Sequence, residues 1–230
     1  MCRSVADAAL LLNFIAGPDP RDEATLHQPG IIPDYMTALD KNALKGARLG
    51  VPRSVLRDIK AVENTFNASL DIFRALGAEI VDPADFPDVE ELRVSETQDL
   101  VLAVDFKVDI NKYLSGLLDV PTGVRTLADL IEFNKTHADL ELPPPFYKDQ
   151  SQYVSSLFGV LLLRICRFIE SEATQVDDAY FAKLAEHFDL GRTRGIDATL
   201  AQFDLDAIIL PTGRPASTPA AIAGYPLISG

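Results

Sequence analysis

The chain has 230 residues, 47% of them hydrophobic and 24% charged, which is enough for one sizeable core or two small ones and excludes a chain disordered throughout. Acidic side chains outnumber basic ones 34 to 21, and the resulting net charge of −13 repels phosphate backbones, so nucleic acid is not an expected partner. Two cysteines, Cys2 and Cys166, are too few for a disulfide framework, and with no signal peptide in view the expected setting is cytoplasmic.

In chain order, Ser4 with Asp7 three residues on fits a helix N-cap, and Val5, Ala8, Ala9, Leu12 and Ile15 then fall on one face. Gly17-Pro18 stops this helix. It begins so near the start of the sequence that its apolar face lacks a preceding partner, a first hint of truncation. Arg48 to Val51 reads as a strand closed by Pro52. A helix follows from about Ala61, with Val62, Phe66, Leu70, Phe73 and Leu76 on its apolar face and Gly77 at a left-handed C-cap. Glu79 to Val81 is the next strand, and strand–helix–strand over this length predicts a parallel βαβ unit with helices on both faces of the sheet.

Val89 to Leu142 is mostly helical and acidic, with breaks at Gly116 and Pro121, and Leu142 to Phe146 is a proline-rich loop. Leu157 to Ile169 is apolar but short and carries Arg164 and Arg167, so it does not have the roughly 20 apolar residues of a membrane span. Another helix runs from near Asp177 to Phe203, weakened at Gly191 and Gly195 by about 1 kcal/mol each relative to alanine. Ala207 to Leu210, stopped by Pro211, reads as the clearest strand and as a buried one. Without repeats or a flexible linker, the chain reads as one domain or part of one.

Residue types alone assemble no active site. His27, His137 and His187 are scattered and form no metal-binding motif, and no nucleotide-binding glycine signature occurs, so no metal and no cofactor are expected. His187 reads as structural. Ser155-Ser156 is the one adjacent serine pair, but it lacks flanking glycines, and Lys107 and Lys112 read as surface residues. The predicted catalytic set is therefore empty, and the substrate-binding residues are undetermined.

Several blocks nevertheless resemble one family. Met1-Cys2-Arg3-Ser4-Val5-Ala6-Asp7-Ala8-Ala9, Ala16 to Asp22, Leu44 to Pro52, Leu76 to Ile80, Phe106-Lys107 to Tyr113-Leu114, Leu127 to Asn134, Asp206 to Thr212 and Pro219 to Pro226 look, in order and spacing, like the amidase signature family, in its bacterial and fungal amidase branch. The resemblance implies an α/β/α sandwich with a mixed sheet and helices on both faces. It also implies hydrolysis of amide carbon–nitrogen bonds in small molecules, without metal or organic cofactor. The family's engine is a Ser–cis-Ser–Lys triad with a Gly/Ser-rich oxyanion loop. Those motifs lie upstream of the block that matches Met1 onward, so none is carried onto this sequence. Arg3 and Asp7 fall in a matched block, where helix capping accounts for Asp7, and Tyr225 would border a substrate pocket or pack beside it.

Two departures stand out. The run between Pro211-Thr212 and Pro219 is shorter than in the family, which removes a substrate-lining loop. Val154 to Phe168 resembles nothing in the family and reads as an insert, such as a translated intron. The expectation is an incomplete amidase domain over 1–230, the C-terminal part of the family's fold and inactive alone. The alternatives are a non-catalytic interaction fragment, or the product of a faulty gene model or pseudogene.

Overall fold

The structure, a computed structural model, describes residues 2–28, 30–56, 59–143, 168–212 and 214–228; the side chains of residue 93 and residues 214–217 are left aside. The expected insert at 154–168 lies outside the described residues apart from Phe168, as do Ser155, Ser156 and Cys166.

Helix α1 (Val5–Ile15) starts where the Ser4 side chain accepts the Asp7 N–H at 3.1 Å, as the sequence predicts. Strand β1 (Arg48–Gly50), helix α2 (Lys60–Ala75) and strand β2 (Glu79–Val81) form the expected βαβ unit, with β1 and β2 parallel and Leu49 opposite Ile80. Gly77, at φ +96°, reverses the chain after α2. Strand β3 (Ala207–Ile208) pairs with the other edge of β1, also parallel, so the order is β2-β1-β3. This βαβ and its added strand place the chain in the α/β class, with all described strands parallel.

Leu49, Gly50 and Val51 are buried in succession, which covers β1 on both faces. Val51 packs with Phe66 and Leu70 of α2 and with the partly buried Leu56, Phe73, Ile80 and Ile209. On the opposite face Gly50 leaves room for Leu205. A Cβ at Gly50 would come within 2.3 Å of Leu205 Cδ1 and 3.1 Å of Ala84 Cβ. Two members of the predicted α2 face, Val62 and Leu76, stay exposed, because only the middle turns of α2 lie over the sheet. The run Ala207–Leu210 is shorter as a strand than its composition suggests, and Ala207 is exposed because β3 is an edge.

The helical region divides into α3 (Val89–Val94), α4 (Thr97–Ser115), α5 (Leu127–Thr136) and α6 (Ala138–Glu141). The break at Ser95-Glu96 carries neither glycine nor proline and gives no breaker signal. At α5 the side chain of Thr126 accepts the Asp129 N–H, and Asp129 accepts the Thr126 N–H, a closed capping box. Helix α7 (Phe168–Glu172) stacks Phe168 on Phe106 of α4 at 5.5 Å between ring centroids.

Helix α8 (Asp178–Phe188) and helix α9 (Ala198–Phe203) are one continuous helical run, as predicted, but they are joined by a π-helical segment, Asp189–Asp197. Pro219 to Ala223, from the last of the matched blocks, belongs to helix α10 (Arg214–Ala223). There Pro219, Ala220, Ile222 and Ala223 are buried, and α10 packs on the π segment.

These contacts set two stability expectations. Leu70→Ala empties a fully buried site in the α2–sheet core and lowers the unfolding free energy by about 2–5 kcal/mol in urea titration. Gly50→Ala crowds Leu205 and Ala84 and costs about 1–3 kcal/mol, part of which Leu205→Ala in the same chain restores.

Candidate functional site

Polar side chains with unusual environments gather where α3, the start of α4, α8 and the π segment meet. The π segment spans Asp189-Leu190-Gly191-Arg192-Thr193-Arg194-Gly195-Ile196-Asp197. Its inner side is Leu190, Gly191 and Gly195, all buried. A Cβ at Gly191 would lie 2.1 Å from Ile222 Cγ2, so this glycine is what lets α10 seat so closely. Widened turns of this kind recur at functional sites, because they push backbone and side chains out of the regular helical ladder.

The outer side carries the cations. Arg194 reaches both oxygens of Glu91 on α3, at 2.7 and 3.0 Å, and Asp189 at 2.7 Å; these hydrogen bonds raise its pKa and lower that of Glu91. Arg192 lies over the rings of Phe188 and Tyr225, 5.2 and 4.8 Å from their centroids, and 3.7 Å from Asp197. The Tyr225 hydroxyl donates to Asp197, and that bond pushes the phenol pKa upward. Tyr225 is thus a packed, hydrogen-bonded clamp on the π segment.

Asp88, immediately before α3, is 7% exposed, and neither of its carboxylate oxygens has a hydrogen-bond partner among the described residues. Desolvation raises its pKa, against the attraction of Arg194. A short chain of hydroxyls lies nearby on the sequence. Ser95 Oγ is 2.9 Å from Thr97 Oγ1, which is 3.1 Å from Nδ1 of the buried His187 on α8. Burial lowers the His187 pKa, with Asp105 pulling the other way. Asp105 itself accepts the Tyr180 hydroxyl at 2.7 Å, which holds that phenol up to about 12. The structural reading of His187 agrees with this placement, since its ring bonds α8 to the start of α4.

The remaining sequence candidates lie apart from this cluster. Lys107, expected at the surface, is half-buried. Its Nζ donates to the Glu172 and Thr174 carbonyls at the end of α7, because those carbonyls lack helical partners. Lys112 is exposed, as are Arg3, Asp7 and Cys2. His137 stacks on Phe133 at 4.2 Å beside a shallow hollow formed by residues 122–124 and α5. His27 sits in a short 3-10 turn. Among the described residues, no group of three or more His, Cys, Asp or Glu side chains is placed to hold a metal, and no helix is long and apolar enough to cross a membrane. Sequence reasoning missed Asp88, the Ser95–Thr97 pair, whose link to His187 spans 90 positions, and the Arg192–Asp197 clamp, which Tyr225 joins from 28 positions beyond Asp197.

No family model matches the chain. Individual relatives do. A protein of Arthroderma benhamiae named as an amidase is 32% identical over all of this chain, which spans 37% of that protein, and an Arabidopsis thaliana protein named in the same way is 31% identical, with 40% of its length spanned. The crystal structure of a peptide amidase with the competitive inhibitor chymostatin superposes with a TM-score of 0.78 at 30% identity, over 98% of this chain and 45% of that one. Over its whole length the chain is similar to proteins named as amidases. It spans about two-fifths of the length of these relatives. An amidase family protein of Bacillus anthracis, 24% identical, shares the fold at a TM-score of 0.68.

Two buried titratable groups among the described residues predict opposite pH effects. His187 has a folded pKa below its ordinary 6.5, so its stabilising contribution is present above 6.5 and is lost as pH falls through the lowered value. Thermal melts from pH 7.5 down to pH 5 should show His187→Gln losing less stability on acidification than the parent. Asp88 has a folded pKa above 3.8, so its contribution is present below 3.8 and is lost as pH rises through the raised value. Asp88→Asn should melt above the parent at pH 7.5, with the gap closing toward pH 4.

Proposed function

We propose that this chain forms part of an amide-hydrolysing α/β fold, supplying framework and substrate-side surface without the nucleophile or its base. The observation that carries the reading is the continuous match to proteins named as amidases over the whole chain, together with the peptide amidase superposition over 98% of it. Acyl transfer to water needs a nucleophilic hydroxyl, a proton acceptor and oxyanion donors converging on one carbon. The family's Ser–cis-Ser–Lys set has no matching positions in these 230 residues. Lys107, on an otherwise suitable matched block, is engaged with the end of α7. Residues 1–230 act in this reading as one unit of an amidase-type domain, with 154–168 as an insert. The substrate class is small carboxamides, with peptide amides suggested by the name of the peptide amidase relative.

The test is ammonia release by the purified chain from a simple aryl carboxamide and from an amidated dipeptide. Release should not exceed the buffer blank. Turnover that disappears when one of the chain's own side chains is changed would defeat the reading; Ser95→Ala and His187→Gln are the first to try, since they sit on the hydroxyl–imidazole chain.

A further inference from the structure

Two carboxylates at one short helix compete for a single cation. Helix α3 has six residues, and none of its described side chains is buried. So short a helix is marginal by itself and depends on its contacts. Its polar attachment is Glu91, both of whose oxygens accept N–H bonds from Arg194 on the π segment. Arg194 also donates to Asp189, which engages three of its five N–H groups. The clasp is open to solvent: the Arg194 and Glu91 side chains are 42% and 55% exposed.

Asp88, immediately before α3, is the reverse case. It is buried, and neither of its oxygens has a hydrogen-bond partner among the described residues. A Cβ placed on Gly195 would stand 3.6 Å from Asp88 Oδ1, so the carboxyl group lies against the residue that follows Arg194. The charged groups that face Asp88 are Arg194 and Asp189 from the π segment and Glu91 from its own helix. One attracts its charge and two repel it.

The relative magnitudes decide where Arg194 goes. An exposed ion pair contributes little, because water and salt screen it. A buried carboxylate that is charged and unpaired is far more costly. While Asp88 is neutral, Arg194 loses nothing by reaching outward to Glu91. Once Asp88 is ionised, pairing it outweighs the exposed bond.

We infer that Asp88 and Glu91 are alternative acceptors for Arg194, and that ionisation of Asp88 draws the arginine inward and releases α3 from the π segment. Burial holds the Asp88 pKa above its ordinary value, and the Arg194 bonds hold that of Glu91 below its own. The signs bound a window. The clasp is lost at its lower edge, as pH falls through the lowered Glu91 value. It is lost at the upper edge as pH rises through the raised Asp88 value. Neither step involves amide chemistry, and both are read without turnover.

The experiment is NMR on the isotope-labelled full chain from about pH 3.5 to about pH 8.5, with amide hydrogen exchange over the same range. The Arg194 Nε–H resonance should shift in step with the Asp88 carboxyl carbon. Through that titration the protection of the α3 amides, corrected for intrinsic rate, should fall ~tenfold while that of the α5 amides holds. Asp88→Asn should keep both the arginine signal and the α3 protection flat across the same rise. Arg194→Gln removes the shared cation, so Asp88 should titrate at higher pH than in the parent and α3 should exchange freely throughout. Protection of α3 that stays constant through the Asp88 titration would overturn the inference. So would an arginine signal that ignores Asp88, or an Asp88 that titrates with the exposed aspartates or not at all in this range. Should Asp88→Asn fail to fold, the parent titration and Arg194→Gln decide the matter.

Discussion

The arrangement depends on β1 being a central strand with neighbours on both edges and cover on both faces. Three residues carry that constraint. Val51 packs with Phe66 and Leu70 of α2, Leu49 is buried opposite Ile80, and at Gly50 the absence of a side chain admits Leu205. The Leu205 contact sets where the chain turns from α9 into β3. The turn is completed by Asp204 in the left-handed region at φ 52°, a conformation that aspartate tolerates better than most residues. Arg48, at the head of the same strand, donates to the carbonyls of Phe203 and Asp204 and to the Glu79 carboxylate. One strand thus fixes β2, β3 and the end of the π-containing helical run, and with them the positions of Tyr225 and α10.

Much of this frame is legible in the sequence because it is written in short-range chemistry. The Ser4 cap, the reversal at Gly77 and the βαβ unit all follow from residues close together in the chain. The failures have a common cause as well. The break at Ser95-Glu96 comes without glycine or proline, and at that break Thr97 Oγ1 bonds His187, ninety positions away. Val62 and Leu76 share a periodic face with Phe66 and Leu70 but overhang the sheet, since periodicity states which face is apolar and not how far the neighbouring surface extends.

The candidate site was less legible. Gly191 and Gly195 read in sequence as a weakness in a helix, whereas in the fold a Cβ would crowd Ile222 at Gly191 and the Leu190 carbonyl at Gly195. No sequence pattern distinguishes a glycine that merely loosens a helix from one that another segment leans on. Asp88 is similar: an aspartate before a short helix looks like a cap, but its side chain caps nothing and is desolvated instead. Lys107 looked like solvated charge and turned out to satisfy the open carbonyls at the end of α7, a partner 65 residues downstream. The family resemblance located these blocks along the chain but could not assign the side chains their contacts.

Local and global requirements can be separated on α1. Its cap and helical propensity suffice to shape it, and it is shaped; its composition also demands enclosure, and the described residues do not supply that. In the βαβ unit the two demands are met together: the periodic face of α2 finds the sheet, and Leu70 and Val51 reach zero exposure. A natural sequence is ordinarily consistent across these levels. Where the consistency fails on one helix and holds on its neighbours, the discrepancy is a property of that helix's surroundings and not of its code. Sharing a fold with an amidase over 98% of the chain is likewise a statement about the backbone path. Superposition reports that backbones follow one path, while hydrolysis requires a hydroxyl, a base and an anion cradle around a single carbon.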